Sequence, residues 1–365
     1  MITAEKPKID NIFTVAEFEL HAEACMSAMA FAYVAGGAAD ELTMHANCED
    51  WKRIRLMPKI LVDVSEISLK SEVLGQQLDV PIMLAPTAFH RLCCAEGELA
   101  TVEGANQAGA GLVLSSFSTV AVEEVAAAAK QPVWFQLYTQ KDKTLTQEMV
   151  RRAEAAGCKA LCVTVDTPIL GARHRESRTQ FNLPADFTLP NLNLGPVSHR
   201  PVRSAIYSEL LNPALTWKDI EWLCSVAKVP VVLKGVLNPE DAALAVNSGA
   251  SAIIVSNHGA RNLDTVPSTA EALPLVIDKL QGKLPVLVDG GIRRGTDVLK
   301  ALALGAKAVL VGRPYLYALA YAGAEGVARV IELLRVELLM AMALTGRTAI
   351  HQIDRSVLWD TASHM

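Results

Sequence analysis

The chain has 365 residues, 51% hydrophobic, 20% charged and 5% aromatic, which excludes a disordered protein. Its 34 Lys and Arg against 39 Asp and Glu leave a net charge of -5 with no block of like charges, which disfavours a nucleic-acid or anionic-membrane partner. The length fits two ordinary domains, or one α/β barrel with extensions.

The opening residues, Met1 to Asp10, lack the apolar core of a signal peptide. Later apolar stretches are broken by Lys300, Lys307, Arg313 and Glu337 before reaching membrane-spanning length. A soluble, cytoplasmic protein is expected. Residues 1–80 are expected to hold a helix around Val15 to Phe31, then a hairpin around Ile67 to Leu78 that turns near Gly75 and is suited to plugging a barrel floor.

From residue 81, short runs rich in Val, Ile and Leu alternate with longer stretches of helical pattern, the mark of βα units. The strands are expected at Pro81 to Ala85, Gly111 to Ser115, Val133 to Leu137, Ala160 to Val165, Val229 to Lys234, Ala252 to Val255, Pro285 to Val288 and Lys307 to Val311. They are continuously apolar, as parallel strands covered on both faces are. Helices are expected at Glu96 to Ala108, Val122 to Ala129, Thr144 to Ala156, Thr216 to Val226, Pro239 to Asn247, Ser268 to Leu280, Gly295 to Leu304 and Gly323 to Leu344.

Eight such units predict a (β/α)8 TIM barrel over 81–345, with a doubly wound open sheet as the runner-up. A Pro-rich stretch over 167–215 follows the fourth strand, and loops of that length are usually functional. Without about 80 leading residues and about 50 in this loop, about 235 remain, close to one barrel, so 1–365 is read as a single domain. Seven cysteines with no CxxC pair suggest small buried hydrophobes, with neither a disulfide framework nor a metal site. The terminal Ser363-His364-Met365 loosely matches a peroxisomal Ser-Lys-Leu address, for which chance is the better explanation.

A barrel's active site lies where its strands end. In order, these ends carry Thr87; Ser115 and Ser116; Gln136 and Tyr138; Thr164 and Asp166; Lys234; Asn257, His258 and Arg261; Asp289; and Gly312 and Arg313. Each group alone has a structural explanation, but their convergence points to a site. Asp289-Gly290-Gly291 and Gly312-Arg313 each precede a helix, where backbone N–H groups and Arg293 or Arg313 would bind an anion such as a phosphate.

His258 can serve as a base, Asp166 can stabilise its imidazolium, and Arg261 and Arg173 can fork a carboxylate. The neighbours His174, Arg175 and Arg178 leave a solvated basic stretch as the alternative reading of Arg173. Lys234 could form a Schiff base, as in an aldolase, or stay charged beside a flavin.

The segment Ser256 to Asp264 closely resembles the signature of the FMN-dependent L-2-hydroxy acid oxidases and dehydrogenases, the family of glycolate and lactate oxidases. So do Ala85-Pro86-Thr87-Ala88, Glu96-Gly97-Glu98, Leu114-Ser115-Ser116, Phe135-Gln136-Leu137-Tyr138, Thr164 to Pro168, Asp289-Gly290-Gly291 and Gly312-Arg313-Pro314. The likeness runs from about Phe18 to about Ile353.

It implies His258 as catalytic base with Asp166, and Arg261, Arg173 and Tyr33 on the substrate carboxylate. Tyr138 would bond the reacting oxygen. FMN would lie on Thr87, Ala88, Ser115, Gln136, Thr164, Ser256 and Asp289, with Lys234 near its N1 and C2 carbonyl and its phosphate on Gly291, Arg293, Gly312 and Arg313. The implied reaction takes a small L-2-hydroxy acid to the 2-oxo acid, with oxygen reduced to hydrogen peroxide; the alternatives are another electron acceptor or a Schiff-base aldolase. A homotetramer is implied by analogy alone. Phe117 stands where plant glycolate oxidases have Trp, Val34 replaces a frequent second Tyr and Asn262 the usual Gln; the first two are expected to border the pocket and admit side chains larger than glycolate's hydrogen.

Overall fold

The structure is a computed structural model that describes residues 8–192 and 211–359. The Ser363-His364-Met365 triplet and residues 193–210 of the long loop lie outside the described residues. Helices α1 (Glu17–Cys25), α2 (Ala28–Ala35) and α3 (Leu42–Arg53) precede an antiparallel hairpin of β1 (Ser71–Val73) and β2 (Gln76–Leu78). A closed, all-parallel barrel follows: β3 (Ile82–Leu84), β4 (Gly111–Ser115), β5 (Trp134–Leu137), β6 (Leu161–Thr164), β7 (Val231–Val236), β8 (Ala252–Val255), β9 (Val286–Val288) and β10 (Val309–Val311), with β10 pairing back onto β3. Closure removes both edges, so the open-sheet alternative is discarded.

Outside the barrel run α4 (Glu98–Ala108), α5 (Val122–Ala128), α6 (Lys143–Ala155), a single turn α7 (His174–Arg178) in the β6 loop, α8 (Trp217–Val226), α9 (Pro239–Asn247), α10 (Thr269–Leu280), α11 (Gly295–Ala303) and α12 (Arg313–Leu344). No helix among the described residues is long and apolar enough to cross a membrane.

Three helical segments differ from expectation. The single helix expected over Val15 to Phe31 is two, because Met26 and Ser27 are extended and Ser27 caps α2, its Oγ accepting from the Ala30 N–H. The run Arg313–Leu344 is broken at Ala322 and Gly323, whose backbone is not helical, so its second part matches the helix expected from Gly323 and only the turns before the break, from Arg313, are unexpected. Helix α3 gives no helical signal in the sequence. It buries Thr43, Asn47 and Asp50 beside Trp51, so its packed face is too polar to show an apolar period.

Alternation along the strands sorts their side chains into two cores. Met83, Val113, Trp134, Cys162, Val232, Ile254, Leu287 and Leu310 point inward and pack with Val73 and Leu78 of the hairpin, while their strand neighbours meet the helices outside. The hairpin is joined to this floor by polar contacts as well. Trp134 Nε1 donates to Gln76 Oε1 at 2.8 Å, and Gln76 Nε2 donates to the Pro132 carbonyl.

Candidate active site

Two residues beyond each inward core residue, the same alternation brings up Ala85, Ser115, Gln136, Thr164, Lys234, Ser256, Asp289 and Gly312. The upper layer of the barrel interior is therefore built from the positions singled out at the strand ends. Strand register confirms the neighbours, with Ser115 beside Gln136 and Thr164 beside Lys234. Ser115 Oγ donates to Gln136 Oε1 at 3.1 Å and Gln136 Nε2 to Thr164 Oγ1 at 3.0 Å, so three adjacent strands present one connected polar row. Above it opens a cavity of about 1160 Å³, its mouth included. Of the residues expected to act in catalysis or to bind substrate or cofactor, all line it except Asp166 and Ser256, which lie directly behind His258 and Lys234.

His258 Nδ1 is 2.9 Å from Asp166 Oδ1. A carboxylate only accepts, so this bond places the imidazole proton on Nδ1 and leaves Nε2 as the basic nitrogen. Burial lowers the pKa of His258 from its ordinary value, against the opposing pull of Asp166, and the resting ring is neutral. Burial would raise Asp166, but its interaction with His258 and the charge of Lys234 hold its carboxyl below its usual range. Thr167 Oγ1 also donates to Asp166 Oδ1, at 3.0 Å, and accepts from Asn262 Nδ2 at 2.8 Å. Asp166 is therefore oriented from two sides.

Lys234 is 4% exposed, with its ammonium 3.0 Å from Asp289 Oδ2 and 3.0 Å from Ser256 Oγ. Burial alone would lower its pKa, but Asp289 and Asp166 keep it well above the ordinary lysine value. A permanently charged ammonium is not a nucleophile, so this arrangement disfavours the Schiff-base reading and suits a fixed positive charge. Ser256 Oγ also accepts from the His258 backbone N–H, which couples the two catalytic candidates.

Arg261 lies over the Tyr33 ring, 4.9 Å from its centroid. Its Nη1 donates to the carbonyls of Tyr33 and Gly36 and its Nη2 to Glu176, leaving Nε–H and one Nη2–H for a ligand. Arg173 has a side chain only 9% exposed, which discards the solvated reading for that residue, while its basic neighbours His174 and Arg178 are exposed. Tyr33 is stacked on Phe181 at 4.5 Å, and Phe117 meets Tyr138 edge-on at 5.5 Å. Burial raises the Tyr138 phenol, so it stays a hydrogen-bond donor. Phe117 and Val34 both border the cavity.

At the far end, Gly290 and Gly291 adopt positive φ, and a methyl group placed on Gly312 would meet no atom closer than 3.8 Å, so the backbone there is open to a ligand. The Arg293 side chain has no carboxylate partner among the described residues; it donates to the Ile292 carbonyl. Arg313 is engaged differently than expected, donating to the carbonyls of Val34, Gly259 and Gly36 and so tying the N-terminal segment to the mouth. The start of α11 is also taken, since Asp297 Oδ2 accepts the N–H groups of Arg293 and Arg294. The groups there that could hold an anion are the glycine amides and the Arg293 guanidinium.

These residues fit FMN. The buried Asp289 Oδ1 has no partner among the described residues, as suits a carboxylate awaiting the hydroxyls of a ribityl chain. Lys234 has a third N–H beyond Ser256 and Asp289, and Arg293 supplies charge for a phosphate.

Sequence reasoning misses several residues. Glu176 is hidden among basic neighbours, and Thr167 in a motif read for its aspartate. Gly235, at φ +112 in a bulge of β7, is missed as well, because only the fold shows that a Cβ there would lie 2.5 Å from Asp166. Asn47 of α3 exchanges two hydrogen bonds with Asn257, 210 residues away in the chain, and presses its backbone carbonyl against Gly291.

A cavity at the mouth of a parallel barrel whose lining residues fit FMN points to the class, an FMN-dependent oxidoreductase. Residues 22–360 match the FMN-dependent dehydrogenase family, and the chain belongs to that family of FMN-dependent 2-hydroxy acid oxidases, with FMN as its cofactor. It is 50% identical over 358 residues to an L-lactate oxidase of Nostoc sp., covering 95% of this chain and 97% of that one. It is 46% identical over 354 residues to glycolate oxidase 3 of Oryza sativa subsp. indica, covering 95% and 96%. A solved mandelate oxidase with (S)-4-hydroxymandelic acid superposes with a TM-score of 0.90 at 39% identity, covering 95% and 98%.

Proposed function

We propose that the protein oxidises a small L-2-hydroxy acid, L-lactate or a somewhat longer aliphatic homologue ahead of glycolate, to the 2-oxo acid, and passes the electrons to oxygen to give hydrogen peroxide. The observation that carries this reading is the placing of a neutral His258, backed by Asp166, in the same cavity as the open N–H edge of Arg261.

Arg261 and Arg173 bind the substrate carboxylate and fix the carbon bearing the hydroxyl. Tyr138 donates a hydrogen bond from its phenol O–H to a substrate oxygen and keeps its proton. His258 takes up the substrate's proton at Nε2, and Asp166 stabilises the resulting imidazolium without itself being protonated. FMN, when bound, supplies the two-electron acceptor. Lys234, held by Asp289 and Ser256, would help hold FMN and supply a fixed positive charge that favours its reduced, anionic form. Phe117 and Val34, a smaller ring and a missing phenol at the pocket wall, support an aliphatic side chain longer than hydrogen. The chain is proposed to form one catalytic domain and to assemble as a homotetramer.

A peroxide assay across glycolate, L-lactate, L-2-hydroxyoctanoate and L-mandelate tests the reading. Peroxide formation fastest with L-lactate or the octanoate is expected. Flavin bleaching without peroxide would move the second half-reaction to another acceptor, and no bleaching with any of the four would refute the function.

A further inference from the structure

Two guanidiniums converge on one wall of the cavity, yet the proposed substrate brings one carboxylate. The surplus is met from within the chain. Glu176, on the single turn α7, sets one carboxylate oxygen 2.9 Å from Arg261 Nη2 and 3.4 Å from Arg173 Nη1. All three side chains are at most 15% exposed, so these charges are poorly screened by water.

Resting on the function proposed above, we propose that Glu176 is a positioning residue that sets the charge of the carboxylate clamp and so selects monocarboxylic over dicarboxylic 2-hydroxy acids. Arg173, Arg261 and Glu176 together carry one net positive charge, which a monocarboxylate neutralises. Glu176 lies behind the two arginines and does not itself line the cavity, so a second substrate carboxylate would enter a site already balanced and feel the nearby Glu176 carboxylate as a like charge through the clamp, which costs affinity.

The geometry gives Glu176 a second effect on the same clamp. Arg261 Nη1 is anchored by two carbonyls and one Nη2–H by Glu176, so the guanidinium plane is fixed at both ends and, among the described residues, its Nε–H and remaining Nη2–H are left to bind a carboxylate. A shorter acid at this position would keep the charge and lose the reach.

The test compares L-lactate with L-malate in the FMN-loaded enzyme, by anaerobic flavin bleaching and by pyruvate and oxaloacetate binding read from the flavin absorption band. In Glu176→Gln the malate-to-lactate ratio of kcat/KM is expected to rise about tenfold, and oxaloacetate to gain on pyruvate by a similar factor. In Glu176→Asp the ratio is expected to stay within about twofold of the native one while KM for L-lactate rises several-fold at nearly unchanged kcat. If Glu176→Gln lowers both substrates equally, Glu176 is merely structural and the inference falls. Should that variant not retain FMN, Glu176→Asp decides alone, and an unchanged KM overturns the proposal. Native enzyme that no 2-hydroxy acid bleaches would instead overturn the function on which the inference rests; bleaching by lactate with an unmoved ratio would overturn Glu176 only.

Discussion

The floor and the mouth of the barrel are made from the same inward-facing positions, two residues apart, yet they are chemically opposite. At the floor, Trp134 and Leu287 pack on Val73 and Leu78, and the polar atoms of the Trp134 and Gln76 side chains are paired. At the mouth, one layer up, Gln136 and Asp289 take their places, and a carboxylate oxygen of Asp289 and one of Asp166 lack partners among the described residues. The floor is an apolar core with its few polar atoms paired, whereas the mouth is a buried layer of polar and charged groups. Stability and function are thus assigned to opposite ends of the same strands.

This contrast can be broken in several ways. The largest effect is expected for His258→Ala, which should retain FMN but slow its anaerobic reduction by L-lactate by roughly two to four powers of ten. Undiminished bleaching would remove His258 from the mechanism. At the other end, Trp134→Ala should cost about 3–5 kcal/mol in urea denaturation, the usual loss at an excavated aromatic core site. The rate of flavin reduction per bound FMN should be unchanged, and a matching loss of rate would show that floor and mouth are not separable.

Arg293→Ala should weaken FMN binding about tenfold, the loss of one charge-assisted hydrogen bond to a phosphate. Fluorescence titration of the apoprotein would measure it, and unaltered affinity would move the phosphate elsewhere. Phe117→Trp should shift kcat/KM from L-lactate towards glycolate by roughly tenfold, as pocket volume changes do; a constant ratio across the two substrates would take Phe117 out of the pocket wall.

The pH profile sharpens the comparison through the position of its acid limb. A base must be neutral to act, and burial lowers the pKa of His258, so kcat/KM should persist below the ordinary histidine value and fall only as pH drops through the lowered one. Asp166→Asn removes the charge that favours the imidazolium, so the acid limb should move to still lower pH while the rate falls. A limb that moves upward would contradict the pairing seen at 2.9 Å.

Much of this is legible in the chain, for a physical reason. Parallel strands covered on both faces must be apolar throughout, so the eight runs from Ile82 to Val311 announce themselves, and the first polar residue after each marks the mouth. Thr164, Lys234, Ser256 and Asp289 can be placed from that rule alone. Helix α3 cannot, since its buried face is polar. Nor can the roles of Arg313 and Glu176, whose partners are Gly36 and Val34 in one case and Arg261, 85 residues away, in the other.

The linear sequence therefore determined the barrel, the layer in which the chemistry resides and the residue types available to it, because these depend on alternation and on where apolar runs end. The tertiary structure decided which nitrogen of His258 is basic, why Gly235 must lack a side chain, where the Arg313 donors go and that an internal carboxylate already sits between the two arginines. Those features depend on distances between segments far apart in the chain, which only the closing of the barrel brings together.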